Sequence, residues 1–357
     1  MKKIQHYIVK GKEVVIGLED SKKTWRVCAR CEDRIINQTA MPALYSNLRN
    51  YIRNNFPECT IKVAYEAGFR GFNLHDKLKE DGIECLVIPP HKIREEKCNK
   101  QKSDTTDARE ISKNAEEKDC SRCYVPGTEN REDRRLSRTL EHIGRDIIRE
   151  KNCIRRMIEF HGLEEHFEDR AWTDKRYREF DIELKELSIS ESLKDSFLII
   201  HTVLVKLMKL KELLKKKIEQ LATKKNYERQ VEILDSVPGV DVLTATRLLL
   251  EWVDVSRFDR AVMFACFLGL VPGQYSTGER ERKGHITKQG NRWVRRWLIQ
   301  ISWVCIRKDP VMFETYTRIV SNTGSKKKAI VAIARKVAIR MRALLLKDET
   351  YELGIIE

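Results

Sequence analysis

No apolar run in this chain approaches the roughly 20 residues that cross a bilayer, so no membrane span is predicted. Nor does the start, Met1 to Gly11, hold the apolar core of a secretory signal, and a cytoplasmic protein is expected. Glycine and proline are scarce, at 16 and 8 of 357 residues. In a long chain of this kind the ten cysteines read as reduced thiols rather than as a disulfide framework. Two CxxC pairs, Cys28/Cys31 and Cys120/Cys123, raise a zinc site, but the first falls in a predicted strand, where residues three apart point to opposite faces. Charge of one sign is not gathered into a tail either.

What the chain does have is length and basic charge. Its 357 residues suffice for two or three domains with cores of their own. A net charge of +15 on a sequence rich in both signs points to a polyanionic partner, nucleic acid ahead of a membrane surface.

Residues 1–125 alternate β-branched runs with helical stretches. Val14–Leu18, Ile61–Tyr65 and Cys85–Ile88 read as strands, and the apolar spacing over Ala40–Phe56 and Phe72–Asp81 as helices, an α/β signature that ends near Pro126–Gly127. Residues 126–226 are helical and charged. Leu193, Phe197, Ile200, Leu204, Leu207, Leu214, Ile218 and Leu221 follow a coiled-coil spacing that serves an intramolecular hairpin or a dimerisation arm equally. From 227 to 357 the pattern is all-α, with one irregular stretch over Val271–Gly284. The closing helix, Lys326 to Leu346, bears seven cations and no acid, which favours phosphate contact.

Carboxylates stand where strands end: Glu19, with Asp20 beside it, after the first strand, and Glu66 after the central one. Strand ends are where α/β sheets place their ligand-binding groups. Downstream, Asp104 and Asp107 share a face of a predicted helix. Glu19, Glu66, Asp104 and Asp107 together are a hard oxygen set for Mg2+ or Mn2+, suited to phosphodiester displacement. Each also has an ordinary reading: helix cap for Asp104, first-turn acid for Asp107, surface carboxylate for Glu66.

Ile233–Ala245 places a Pro238–Gly239 turn between two helical stretches, as in a helix-hairpin-helix element or an ordinary connection. Gly269–Gly278 sets Ser276 and Thr277 in a glycine-bounded loop. Around it stand Arg280, Arg282, Lys283, Lys288, Arg292, Arg295 and Arg296, a candidate nucleic-acid-binding set. Taken alone, Ser-Thr-Gly is a turn.

The runs Ile16–Trp25, Tyr65–Gly68 and Lys102–Arg109, followed by the block Gly269–Arg296, resemble in order the DEDD transposases of insertion sequences, the group that includes the Piv-type DNA invertases. That resemblance implies an N-terminal domain that is RuvC-like, of the ribonuclease H fold, whose four acids bind Mg2+. Glu66, Asp104 and Asp107 match the second to fourth acids; the first is Glu19 where the family usually has Asp, with Asp20 as its substitute. It further implies a serine nucleophile, forming a phosphoserine link to DNA together with the acidic site of a partner subunit. Thr277 directly precedes Gly278, and Ser276 is favoured as the less hindered hydroxyl. A homodimer or homotetramer and a structured bridge RNA that pairs with target and donor DNA complete what is implied.

The expected architecture is therefore α/β plus all-α: a RuvC-like domain (1–125), a helical coiled-coil arm (126–226) and a mainly helical DNA-binding domain (227–357). The expected activity is Mg2+-dependent DNA strand cleavage and rejoining. Its rivals are a structure-selective endonuclease, which needs the acids but not Ser276, and a non-catalytic nucleic-acid-binding protein, which needs neither.

Overall fold

The computed structural model describes residues 9–93, 104–167, 171–277 and 280–354; the side chains of Asp104 and of residues 274–283 lie outside that description. The chain divides into two compact units, Met1–Val125 and Pro126–Glu357.

In the first unit β1 (Glu13–Glu19), β2 (Thr24–Cys31) and β3 (Arg34–Pro42) run antiparallel. Helix α1 (Tyr45–Asn55) leads into β4 (Thr60–Glu66), and α2 (Asn73–Glu80) into β5 (Glu84–Ile88). The sheet is mixed, in the order β3-β2-β1-β4-β5, with β4 parallel to β1 and β5 parallel to β4. Its parallel part is made of the three strands expected from β-branched runs. Strand β3 is a half-exposed edge without the apolar alternation that announces a strand.

Both faces of the central strands are covered. Val14, Ile16, Leu18, Val63 and Tyr65 pack with Leu48 and Ile52 of α1 and Leu74 and Leu78 of α2. Val15, Ala64, Leu86 and Ile88 pack with Ile111 and Ala115 of α3 (Asp104–Glu116) on the other side. Because side chains alternate along a strand, odd residues of β1 and even residues of β4 face α3.

Gly17 lies on that face. A Cβ there would stand 2.3 Å from Ala108 O and 2.4 Å from Ser112 N, so α3 rests on bare strand backbone. Two side-chain contacts hold the helix in register: Arg30 Nε donates to Glu116 Oε2 at 2.6 Å, and Arg109 Nη2 to Gln38 Oε1 at 2.7 Å. The zinc expectation finds no support in this packing. Cys120 packs with the cluster on the α3 side and Cys123 with the cluster on the opposite face. Burial pushes the thiols of Cys31, Cys120 and Cys123 up.

The second unit begins with α4 (Thr128–Phe160), α5 (Asp174–Lys185) and α6 (Glu191–Leu221). Helices α4 and α6 are antiparallel: Lys224, just past α6, pairs with Glu129 and Asp133 near the start of α4, and Ile154 and Ile158 near its end share a core with Phe197. The seam of α6 is thus filled within the chain, as an intramolecular hairpin requires. Phe197, Leu204, Ile218 and Leu221 are buried at the expected seam positions, whereas His201 and Met208 are buried in place of Ile200 and Leu207, which are only partly buried. Outward-facing Ile199, Val203, Leu210 and Leu213 remain exposed.

Helices α7 (Glu228–Asp235), α8 (Val242–Trp252), α9 (Ala261–Phe267), α10 (Arg292–Lys308), α11 (Pro310–Thr323) and α12 (Lys326–Lys347) build one core around Leu248, Trp252, Leu298, Ile333 and Val337. The Pro238–Gly239 turn joins α7 to α8; Gly239 backs onto Val304, and Cys305 Sγ donates to Pro238 O. The stretch read as irregular, Val271–Gly284, instead contains a β-hairpin, β6 (Pro272–Thr277) with β7 (Arg280–Ile286). Polar residues at nearly every position concealed the strand alternation. Among the described residues no helix is long and apolar enough to cross a membrane.

Gly17→Ala tests the contact between strand and helix. Two backbone atoms closer than any real Cβ contact must move, so the substitution is expected to cost about 1–3 kcal/mol in urea unfolding and to lose amide protection along α3; an unchanged midpoint would show that α3 has room to lift.

Candidate functional site

The last residues that β1 and β4 pair with each other are Leu18 and Tyr65, which leaves Glu19 and Glu66 at neighbouring strand ends. By strand alternation both lie on the α3 side. Glu19 is half-buried and its carboxylate accepts from Ser21 Oγ at 2.9 and 2.7 Å. Glu66 is exposed. Asp107 is in the first turn of α3, one turn before Ile111 on the stripe that meets the sheet, and next to Ala108, whose carbonyl sits over Gly17. Asp104 opens the helix, with its side chain outside the described residues. Among the described residues no three His, Cys, Asp or Glu side chains are gathered closely enough to hold a metal ion. The donors are all carboxylate, the hard oxygen type that a divalent cation takes, and Glu19, Glu66 and Asp107 belong to one side of one sheet end without being gathered into a site.

Asp20 turns elsewhere. Arg70 Nε lies 3.0 Å from its Oδ1, and the two line a cavity with Trp25, Tyr45 and Phe69 on the α1 and α2 side of the sheet. Burial pushes its carboxyl up, with the Arg70 guanidinium and the Trp25 indole N–H opposing.

In the second unit the hairpin is held at its base. Gly269 and Gly290 both have positive φ, +68° and +80°; a Cβ on the first would stand 2.0 Å from Gln289 O, and on the second 2.1 Å from Phe267 O. Backbone therefore clasps backbone. Thr287 N donates to Val271 O and Lys288 N to Gly269 O. Arg295 closes the clasp by donating from Nη1 to Gln289 O at 2.7 Å, Gly290 O at 3.1 Å and Leu268 O at 3.3 Å. Desolvation pulls its pKa down.

Ser276 pairs with Glu281 and Thr277 with Arg280 across the hairpin. The side chains of Ser276, Thr277, Arg280, Arg282 and Lys283 lie outside the described residues. Lys288 is exposed in the clasp, and Arg292 lies over the Trp293 ring. Arg296 Nη2 donates to Glu141 Oε2 at 2.8 Å. Of the cations singled out around the loop, Arg295 and Arg296 are therefore engaged in holding the fold. In the closing helix α12 the same is true of Arg340, on Asp309 and Tyr351, and of Arg342, on Phe258 O. Sequence reasoning gave no role to Gly17 or Gly290 and took Gly269 only as a boundary of the loop. Glycine inside a strand is the signal that marks a close backbone approach.

Residues 231–317, which span the clasp and the hairpin, match the family model described as Transposase IS116/IS110/IS902 family. The chain is similar to the transposase for insertion sequence element IS1533 of Leptospira borgpetersenii, 23% identical over 342 residues that cover 92% of this chain and 95% of that one. It is 31% identical to the transposase for insertion sequence element IS1111A of Coxiella burnetii over 140 residues, 38% of each. Identity to the y4qE protein of Sinorhizobium fredii is 26% over 248 residues; the match spans 68% of this chain and 58% of that protein's length.

Arg295→Met leaves three carbonyl oxygens without their donor. Unfolding should become easier by about 1–3 kcal/mol, and hydrogen exchange at Thr287 and Lys288 should quicken more than in α10. Unchanged exchange at the clasp would show that the glycine contacts hold it unaided.

Proposed function

We propose that this chain is a transposase that cleaves and rejoins DNA, using a carboxylate-bound divalent cation and a serine nucleophile. One observation carries the reading: Glu19 and Glu66 end neighbouring strands on the side covered by Asp107 of α3, in a chain whose residues 231–317 match a transposase family model. The corresponding division of labour is a RuvC-like domain (1–125) with the acids, a helical arm (126–226), and a DNA-binding domain (227–357) with Ser276.

Mg2+ or Mn2+ held by Glu19, Glu66, Asp104 and Asp107 would supply Lewis-acid polarisation of the phosphodiester. The Ser276 hydroxyl attacks phosphorus and a sugar hydroxyl leaves, so that one phosphate ester replaces another. Attack by a hydroxyl of a second strand then releases the serine and joins the new strand. Ser21 restrains the Glu19 carboxylate, and the clasp fixes the point from which the Ser276 hairpin projects. A homodimer or homotetramer, with a bridge RNA that pairs with target and donor DNA, belongs to the same proposal. There, base pairing rather than protein side chains reads sequence.

The test uses the full-length protein with DNA flanking its gene and the RNA transcribed beside it. Strand cleavage is expected to require Mg2+ or Mn2+, and Glu66→Gln or Asp107→Asn to lower its rate about 100-fold or more. Ser276→Ala should abolish a covalent protein–DNA adduct on denaturing gels, with Thr277→Val as the comparison. Normal cleavage by the Ser276→Ala protein without any adduct would establish a metal-dependent nuclease instead, and indifference to both acid substitutions would leave a binding protein only.

A further inference from the structure

The cavity beside Asp20 is not used by the proposed strand transfer. It opens on the side of the sheet away from Glu19 and Glu66, with a volume of about 620 Å3, within the range of small-molecule sites. Asp20 and Trp25 line it, with the indole N–H and the Arg70 guanidinium, 3.0 Å away at Nε, both set against the Asp20 carboxylate.

The walls and rim narrow the choice of occupant. Phe69 is 75% exposed at the mouth. Lys22 Nζ lies 5.5 Å from its ring centroid, and Lys77 Nζ lies 5.9 Å from that of Tyr45 on the same cavity. Two aromatic faces, each with an ammonium group beside it, suit a flat ring attached to a phosphate. An open mouth admits a ring that stays joined to a polymer outside.

We propose that this cavity receives a single unstacked nucleobase of a nucleic-acid strand: Phe69 and Tyr45 stack on it, and Lys22 and Lys77 contact its backbone phosphates. The inference rests on the nucleic-acid reading given above. It ties base capture to the strand ends that bear the acids, because the cavity-lining Asp20 follows Glu19 and Phe69 lies three residues after Glu66.

The experiment uses the full-length protein and short single-stranded DNA and RNA oligonucleotides, fluorescently labelled and carrying 5-iodouracil at successive positions. Anisotropy measures binding, and near-ultraviolet crosslinking followed by peptide mass spectrometry locates the base. Crosslinks are expected at Phe69, Tyr45 or Trp25. Phe69→Ala should bind roughly ten-fold more weakly with an unchanged melting temperature, since the ring is exposed, while Phe69→Tyr should restore affinity. Whichever polymer crosslinks there identifies the source of the base. Crosslinks confined to other peptides, whatever the affinity, overturn the proposal while the nucleic-acid reading stands; an absence of binding to any oligonucleotide overturns both.

Discussion

Contact between bare backbones sets the geometry of both units. In the first, α3 lies against β1 at Gly17 with no side chain between them, and the pair Ala108 and Ser112 fills the space a methyl group would take. A helix packed on a sheet ordinarily stands off by the depth of intervening side chains. Removing that depth lowers the first turn of α3, with Asp107, toward the ends of β1 and β4. In the second unit Gly269 and Gly290 do the same for the loop that starts and ends the hairpin. Positive φ at both makes any other residue strained there even before the clash is counted. Three glycines in a glycine-poor chain thus fix the two places where chemistry is proposed.

Within the second unit the helical arm is tied to the C-terminal helices by charge rather than by apolar area alone. Arg138 of α4 forms two 2.8 Å hydrogen bonds to Glu251 of α8. Glu141 of α4 receives both Arg247 of α8 and Arg296 of α10, and the Arg247 guanidinium stacks 4.1 Å from the Trp297 ring. Glu141 and Glu251 are nearly buried, so their desolvation cost is large and their pairing returns little net stability. What such a network supplies is register. An α4 slipped by one turn would leave two carboxylates and the Arg247 guanidinium buried without partners, at several kcal/mol each by order of magnitude. The arm therefore has one docking position.

How much was legible beforehand depends on the kind of signal. Strands β1, β4 and β5 and helices α1 to α3 were readable because burial on one or two faces leaves a periodic trace in residue type. Placement of Glu19 and Glu66 at strand ends followed directly from it. Asp20 on the opposite side followed from alternation alone, yet its partners Arg70 and Trp25 did not, since a tertiary ion pair leaves no trace in the spacing. The hairpin β6–β7 was hidden because its strands, Pro272–Thr277 and Arg280–Ile286, are polar at nearly every position; the pairing depends on the clasp beneath it instead of on a buried face. The seam of α6 was legible in period but not in ownership, as the same heptad serves a neighbour in the chain or in a second copy.

Basic charge, the first hint of a nucleic-acid partner, also has to be divided before it is used. Arg30, Arg138, Arg247, Arg295, Arg296, Arg340 and Arg342 all bond carboxylates or carbonyls within the chain, so formal net charge overstates what a partner meets in guanidinium groups. Lysines are different. Lys326, Lys327 and Lys328 occupy the first turn of α12, exposed and with no acid among them. Cations there oppose the helix dipole, at about 0.3–1 kcal/mol each, and they repel one another. No intramolecular need for them accompanies that cost, whereas a phosphate chain would remove both unfavourable terms at once. These seven arginines thus hold the architecture, whereas Lys326, Lys327 and Lys328 are among the exposed cations that a polyanion would meet.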